Sequence, residues 1–217
     1  DFDGNGNATI TWGDGRTETW SDDGVGGFIP QYGVFDNLID DGGGVYSLHK
    51  KDRTTYQFDA TGVLSVITDR NGNSLSLTYS GPDLVEIVDT AGRVFGLTYD
   101  IDGHLTQLTD PIGRTLQYTY DPAGNLTSAA DPNGNVTTYT YDASHQILSI
   151  IDPRGNTIVS NTYDTLDRVV TYQTDAKGGA TTYVYDATDF KTTFTDALGN
   201  STAHYHDSML RLIKEED

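Results

Sequence analysis

The sequence has 217 residues, with 13 Lys+Arg against 32 Asp+Glu and a formal net charge of −19. That balance leaves no basic surplus to displace counterions from a nucleic-acid backbone or to hold an anionic membrane surface, and no apolar run approaches the ~20 residues of a membrane helix. Cysteine is absent, which excludes disulfides and thiolate chemistry, while 24 Gly, 14 Tyr and recurring Thr point to strands joined by many turns.

Residues 1–57 follow no fixed period but read as β-rich. Asp1-Phe2-Asp3-Gly4-Asn5-Gly6 opens like a calcium loop, with Asp1, Asp3 and Asn5 as candidate ligands. The twelfth position, where an EF-hand places a bidentate acid, is Trp12, and a strand-like run follows in place of a helix. A tight Asn-Gly hairpin accounts for the same residues. Calcium there is the only metal or cofactor the sequence puts forward. Further on, residues 9–12 and 17–20 flank a Gly-Asp-Gly-Arg turn, residues 45–50 and 54–58 flank Lys51-Asp52-Arg53, and glycine-rich segments at 24–27 and 42–44 bracket an apolar stretch at 28–38. This lead-in is expected to cover the first edge of the sheet that follows, because an open edge invites unwanted pairing.

From residue 58 to 217 two markers hold one period. Aromatics, most followed by Asp, stand at Phe58, Tyr79, Tyr99, Tyr120, Tyr141, Tyr163, Tyr185 and Tyr205, at spacings of 21, 20, 21, 21, 22, 22 and 20. Between them falls Asp-x-x-Gly, ending at Gly72, Gly92, Gly113, Gly134, Gly155, Gly178 and Gly199. In the clean copy from Tyr120 to Tyr141, Asp121-Pro122-Ala123-Gly124 and Asp131-Pro132-Asn133-Gly134 each combine an amide-accepting Asp, a φ-setting Pro and a permissive Gly. Two strand-length runs, 126–130 and 136–141, separate the turns. Each repeat therefore reads as strand, turn, strand, turn, an all-β solenoid of short antiparallel hairpins with a period of about 21 residues. Alternation puts Leu116, Tyr118 and Tyr120 on one face and Thr115, Gln117 and Thr119 on the other, solvated face. Equivalent side chains of neighbouring repeats are expected to stack into aromatic and aliphatic ladders.

Tyr-Asp-x-x-Gly-Asn-Leu-Thr at 120–127, followed by Asp-Pro-Asn-Gly-Asn-Val-Thr-Thr-Tyr-Thr-Tyr-Asp at 131–142, closely resembles the Rhs/YD-repeat family. The resemblance runs from about Phe58 to the C-terminus and is strongest between Tyr99 and Tyr141. It implies a β-strip that coils into a shell. Bacterial members of the family enclose a C-terminal toxin, and teneurins use a similar shell in adhesion at the animal cell surface. Later copies degrade, with Ser144-His145, Leu166-Asp167 and Thr188-Asp189 replacing the end of the first turn. The family's self-cleaving Asp-Pro-x-Gly motif lies at the end of the shell. Asp110-Pro111-Ile112-Gly113, Asp131-Pro132-Asn133-Gly134 and Asp152-Pro153-Arg154-Gly155 resemble it only as repeat turns, so no protease function is carried over.

Other candidates have structural explanations. The periodic Asp residues suit Asx-turns better than a calcium roll, whose repeat is nine residues. His204 and His206 form an i, i+2 pair that would share a strand face, with no third metal ligand evident in the sequence. Asn7, Asn125, Asn135 and Asn200 begin glycosylation sequons, which Asn-rich turns beside Thr-rich strands generate by composition. No Gly-x-Ser-x-Gly elbow, HExxH or P-loop occurs.

The expectation is thus a non-enzymatic scaffold of a secreted or cell-surface protein, forming part of a shell that encloses or presents another segment of the chain. An extracellular fibre or adhesive module joined through sheet edges, glycan-decorated or glycan-binding, is the alternative, and a carboxylate-dependent glycan hydrolase is the weakest. The partners implied are the rest of a longer Rhs-type chain, identical subunits meeting at a strand edge, glycans or a cell-surface receptor. The last repeat stops after one strand, which fits a piece of a longer polypeptide or an edge that meets another subunit.

Overall fold

The computed structural model describes residues 1–166, 168–175 and 179–217, and every regular element among them is a β-strand. Gly178, one of the repeat markers, lies outside the described residues, as does Asp167. By internal contacts the chain forms two compact units, 1–99 with 108–114 and 100–107 with 115–217.

The first unit opens with a three-stranded antiparallel sheet of β1 (Ala8–Thr11), β2 (Thr17–Asp22) and β3 (Phe28–Pro30). A serpentine ladder follows through β4 (Asn37–Gly42), β5 (Val45–His49), β6 (Thr55–Phe58), β7 (Leu64–Thr68), β8 (Ser74–Ser80), β9 (Asp83–Asp89) and β10 (Val94–Tyr99), each strand antiparallel to the next. β11 (Leu105–Thr109) is shared between the units. The second unit continues the serpentine through β12 (Thr115–Tyr120), β13 (Leu126–Ala130), β14 (Val136–Tyr141), β15 (Ile147–Ile151), β16 (Thr157–Tyr163) and β17 (Val169–Asp175), then β18 (Ala180–Asp186), β19 (Lys191–Thr195), β20 (Ser201–His206) and β21 (Leu212–Glu216). The hairpin period read from the sequence is the period of the fold.

Register shows what holds successive repeats. Tyr118 faces Ala129 and Tyr139 faces Ile150, so a strand carrying small or aliphatic side chains separates one tyrosine-bearing strand from the next. Equivalent tyrosines are then two strand spacings apart, about 9.5 Å, too far to stack on each other. The expected aromatic ladder is instead an interleaved one. On the opposite face, hydroxyls pair across strands: Thr119 with Ser128 at 2.7 Å, Thr140 with Ser149 at 2.6 Å and Thr195 with Ser201 at 2.7 Å. Gln117 and Thr119 are exposed there, as the alternation predicts.

Among the described residues only Ala8, Trp20, Leu38 and Leu48 are fully buried hydrophobics, and all four belong to one cluster in the first unit. Ile10, Trp12, Phe28, Tyr46, Tyr56 and Phe58 pack around it, so the three-stranded sheet lies on a face of β4–β6. In the second unit the strands of β12–β16 pack against their sequence neighbours, and their Tyr, Leu and Ile side chains stay half-buried.

Candidate functional site

Each Asp turn is a closed five-residue device. In the copy at Asp121, the Asp121 amide donates to the Asn125 carbonyl at 2.9 Å and the Gly124 amide donates back to the Asp121 carbonyl at 3.0 Å. The Asp121 carboxylate accepts the amides of Ala123 and Asn125, both at 2.9 Å, and the Asn125 side-chain amide at 2.9 Å. Gly124 takes φ of 83°, which makes this a type I turn closed by a left-handed glycine. Gly72, Gly92, Gly113, Gly134, Gly155 and Gly199 occupy the same place with φ between 75° and 86°.

The fifth residue is a working part that sequence reasoning overlooked. Asn73, Asn135, Asn156 and Asn200 donate their side-chain amides to the Asp four residues earlier, while Arg93, Arg114, Arg168 and Arg211 use a guanidinium and His104 an imidazole. The signal was present, since Asn or Arg recurs directly after the turn Gly. These bonds hold the carboxylates below their ordinary pKa: at Asp121, Asp131, Asp152 and Asp196 the largest cause is the Asn side chain, followed by that residue's backbone amide.

The turn also explains the other candidates. Asp3 accepts the amides of Asn5 and Asn7 and the Asn7 side chain, all at 2.9 Å, so Asp3–Asn7 is one more copy of the repeat turn. The first two calcium candidates are thus an Asp beside this turn and the turn's own anchor, and Asn5 enters it through its backbone. All four sequon asparagines, Asn7, Asn125, Asn135 and Asn200, direct their side-chain nitrogen at the turn Asp at 2.8–2.9 Å, so glycan attachment would compete with that bond. At Asp100, Asp102 and His104 three ligand-type atoms lie within 4.8 Å of one another. There His104 Nδ1 already meets Asp100 at 3.0 Å within the turn.

The marker tyrosines tie consecutive repeats together. The hydroxyls of Tyr99, Tyr120 and Tyr163 donate to the carbonyls of Leu84, Leu105 and Ile147 at 3.0, 2.9 and 2.7 Å. The ring of Tyr120 stacks on His104 at 4.7 Å, and Arg168 lies over Tyr185 at 4.3 Å, so the fifth turn residue of one repeat packs on the tyrosine of the next. Burial raises the pKa of Tyr79, Tyr120, Tyr141 and Tyr185. A β-bulge falls just before Phe58, Tyr79, Tyr120 and Tyr141, and between Asn161 and Tyr163, placing extra twist on the Tyr-Asp edge. Tyr79 is the variant copy: Tyr79 pairs with Leu84 ahead of a two-residue Gly81-Pro82 connection.

Sequence spacing misplaced the last marker. Asp207 forms the turn, with its amide bonded to the Arg211 carbonyl at 2.9 Å, so the residue in the position of Tyr185 is His206 and the one in the position of Tyr183 is His204. Tyr205 falls on the other face, opposite Lys214 and paired with Lys191.

The RHS Repeat family model matches residues 99–136 and 120–157, the stretch where these turns and tyrosine clamps are most regular. Residues 99–157 are therefore Rhs repeats. No curated protein matches it by sequence. Two solved structures share the fold of the Rhs repeats. The crystal structure of TcdB2-TccC3 without its hypervariable C-terminal region aligns over 98% of this chain at 17% identity and a TM-score of 0.59. That of TcdB2-TccC3-Cdc42 aligns over 91% at 17% identity and a TM-score of 0.58. In both cases this chain spans 12% of the matched chain's length.

The left-handed glycine gives a direct check on the turn. At Gly134 (φ 82°) an added Cβ meets nothing within 4 Å, so Gly134→Ala tests backbone strain alone. We expect it to cost about 1 kcal/mol in urea unfolding. Gly13→Ala, which is equally open and lacks a left-handed φ, should be near neutral.

Proposed function

We propose that this Rhs-repeat scaffold is a non-catalytic wall segment of a secreted or cell-surface shell, whose aromatic face encloses or presents another portion of the same polypeptide. The observation that carries this reading is the Tyr, Leu and Ile face of β12–β16, which stays half-buried within its own unit. A single-layer sheet with one apolar face gains stability when something apolar lies against it. The non-catalytic reading is supported by the turn carboxylates, which are occupied as acceptors of amides in their own turns. Among the described residues no helix is long and apolar enough to cross a membrane.

The partners on this reading are the remainder of a longer Rhs-type chain or further copies meeting strand edges. Electron microscopy of the native protein in its full reading frame is expected to show closed particles containing additional density. Open fibres built edge to edge would overturn the shell and favour an adhesive fibre.

A further inference from the structure

We propose that His204, His206 and Glu215 form a binding site for a zinc-class divalent cation on one face of β20 and β21. In the sequence the two histidines lacked a third ligand. The register supplies it: His204 lies directly opposite Glu215, and its Nε2 stands 3.3 Å from a Glu215 carboxylate oxygen. That separation matches the ~3.3 Å between two ligands of a tetrahedral ion with bonds of about 2.0 Å.

His206 is oriented for the same task. Its Nδ1 faces the Phe190 carbonyl at 3.3 Å, an arrangement that puts the proton on Nδ1 and leaves Nε2 as the ligand atom. Metal-binding imidazoles are commonly fixed by a backbone carbonyl in this way. The two rings have centroids 6.5 Å apart, and Phe194 packs edge-on against His204 at 5.2 Å, limiting its rotation. The three ligand atoms do not all stand within 4.8 Å of one another, so His206 turns about its side-chain bonds toward the His204–Glu215 pair as the ion binds.

Nearby positive charges do not occupy this face. Lys191 and Lys214 lie over the ring of Tyr205, on the opposite side of β20, at 5.5 and 5.1 Å. Arg168, which lines a cavity with His206, is held by Asp164 at 2.6 Å. His204 and Glu215 have side chains 32% and 58% exposed, so an ion can reach them and keep a water as its fourth ligand. Two tyrosines of the repeat pattern have thus been exchanged for two imidazoles where a carboxylate stands opposite.

Titration of zinc chloride into the purified chain, followed by calorimetry in a non-chelating buffer, is expected to show one ion bound per chain. The double variant His204→Tyr/His206→Tyr restores the side chains found at Tyr183 and Tyr185, so the strand keeps a native face; it should weaken binding by more than ~100-fold. Glu215→Gln should weaken it about tenfold, and His104→Asn should leave it unchanged. Stoichiometric zinc binding that survives the double tyrosine variant, or no binding by the unmodified chain, overturns the site.

Discussion

Trp20→Ala is expected to remove about 3–5 kcal/mol from the stability of the first unit. Trp20 is fully buried, pairs across strands with Ala8 and Pro30, and sends its indole N–H to the Asp36 carbonyl at 3.3 Å. Its neighbours Leu38 and Leu48 are the only other large hydrophobics among the described residues that are fully buried. Truncation therefore empties the one closed core in which the three-stranded sheet meets β4–β6. Because repeat arrays are coupled mainly between neighbours, the loss should stay local: amide exchange should speed up in β1–β6 and remain unchanged in β12–β16. A urea-unfolding penalty below about 1 kcal/mol would show that the lead-in sheet is not anchored through Trp20.

The second large effect is acid sensitivity. The turn carboxylates of Asp3, Asp59, Asp69, Asp89, Asp100, Asp121, Asp131, Asp152, Asp164, Asp196 and Asp207 all titrate below their ordinary value when folded, each through bonds from its own turn. A depressed folded pKa means the stabilisation is complete above the unfolded value of about 4 and is lost as pH falls through the lower folded value. Relief of self-repulsion acts the other way, since a chain of net charge −19 is less strained as it approaches its pI near 4.2. The expected profile rises gently from pH 7 to about 5 and then drops steeply below about 4, where unfolding takes up several protons. Urea midpoints measured from pH 8 to pH 2.5 would decide it; a midpoint that holds or rises below pH 4 contradicts the turn assignment. Asp131→Asn should lower the midpoint at pH 7 and flatten the acid limb.

Legibility in the sequence followed locality. The hairpin period was readable because every turn closes within five residues, so Asp, Gly and their spacing report the backbone directly. The solvated Thr and Gln face followed from simple alternation. Five features did not come through. The donor after the turn Gly was overlooked because Asn, Arg and His share the position, and only their common bond to Asp unites them. The marker at Tyr205 was misassigned because His206 and His204 had replaced the tyrosines, leaving Tyr205 as the nearest aromatic. The stacking of equivalent tyrosines failed because the intervening strand, with Ala129 or Ile150 opposite the ring, is invisible to a comparison of repeats with one another. The cluster at Trp20, Leu38 and Leu48 depends on contacts between segments with no shared period, and the third ligand at Glu215 depends on a register.

In several copies the closed turn leaves its two middle side chains without a hydrogen-bonding task. At Pro111-Ile112, Pro122-Ala123 and Ala197-Leu198 the turn uses the backbone alone, and Ile112 and Leu198 are 77% and 88% exposed. Point mutation at these sites can change the chemistry shown along both rims while the hairpins beneath keep their register. Selection for evading recognition, or for acquiring it, would act there first, so natural variants of this chain should differ most at the middle of their turns and least at the Asp, the Gly and the residue that follows.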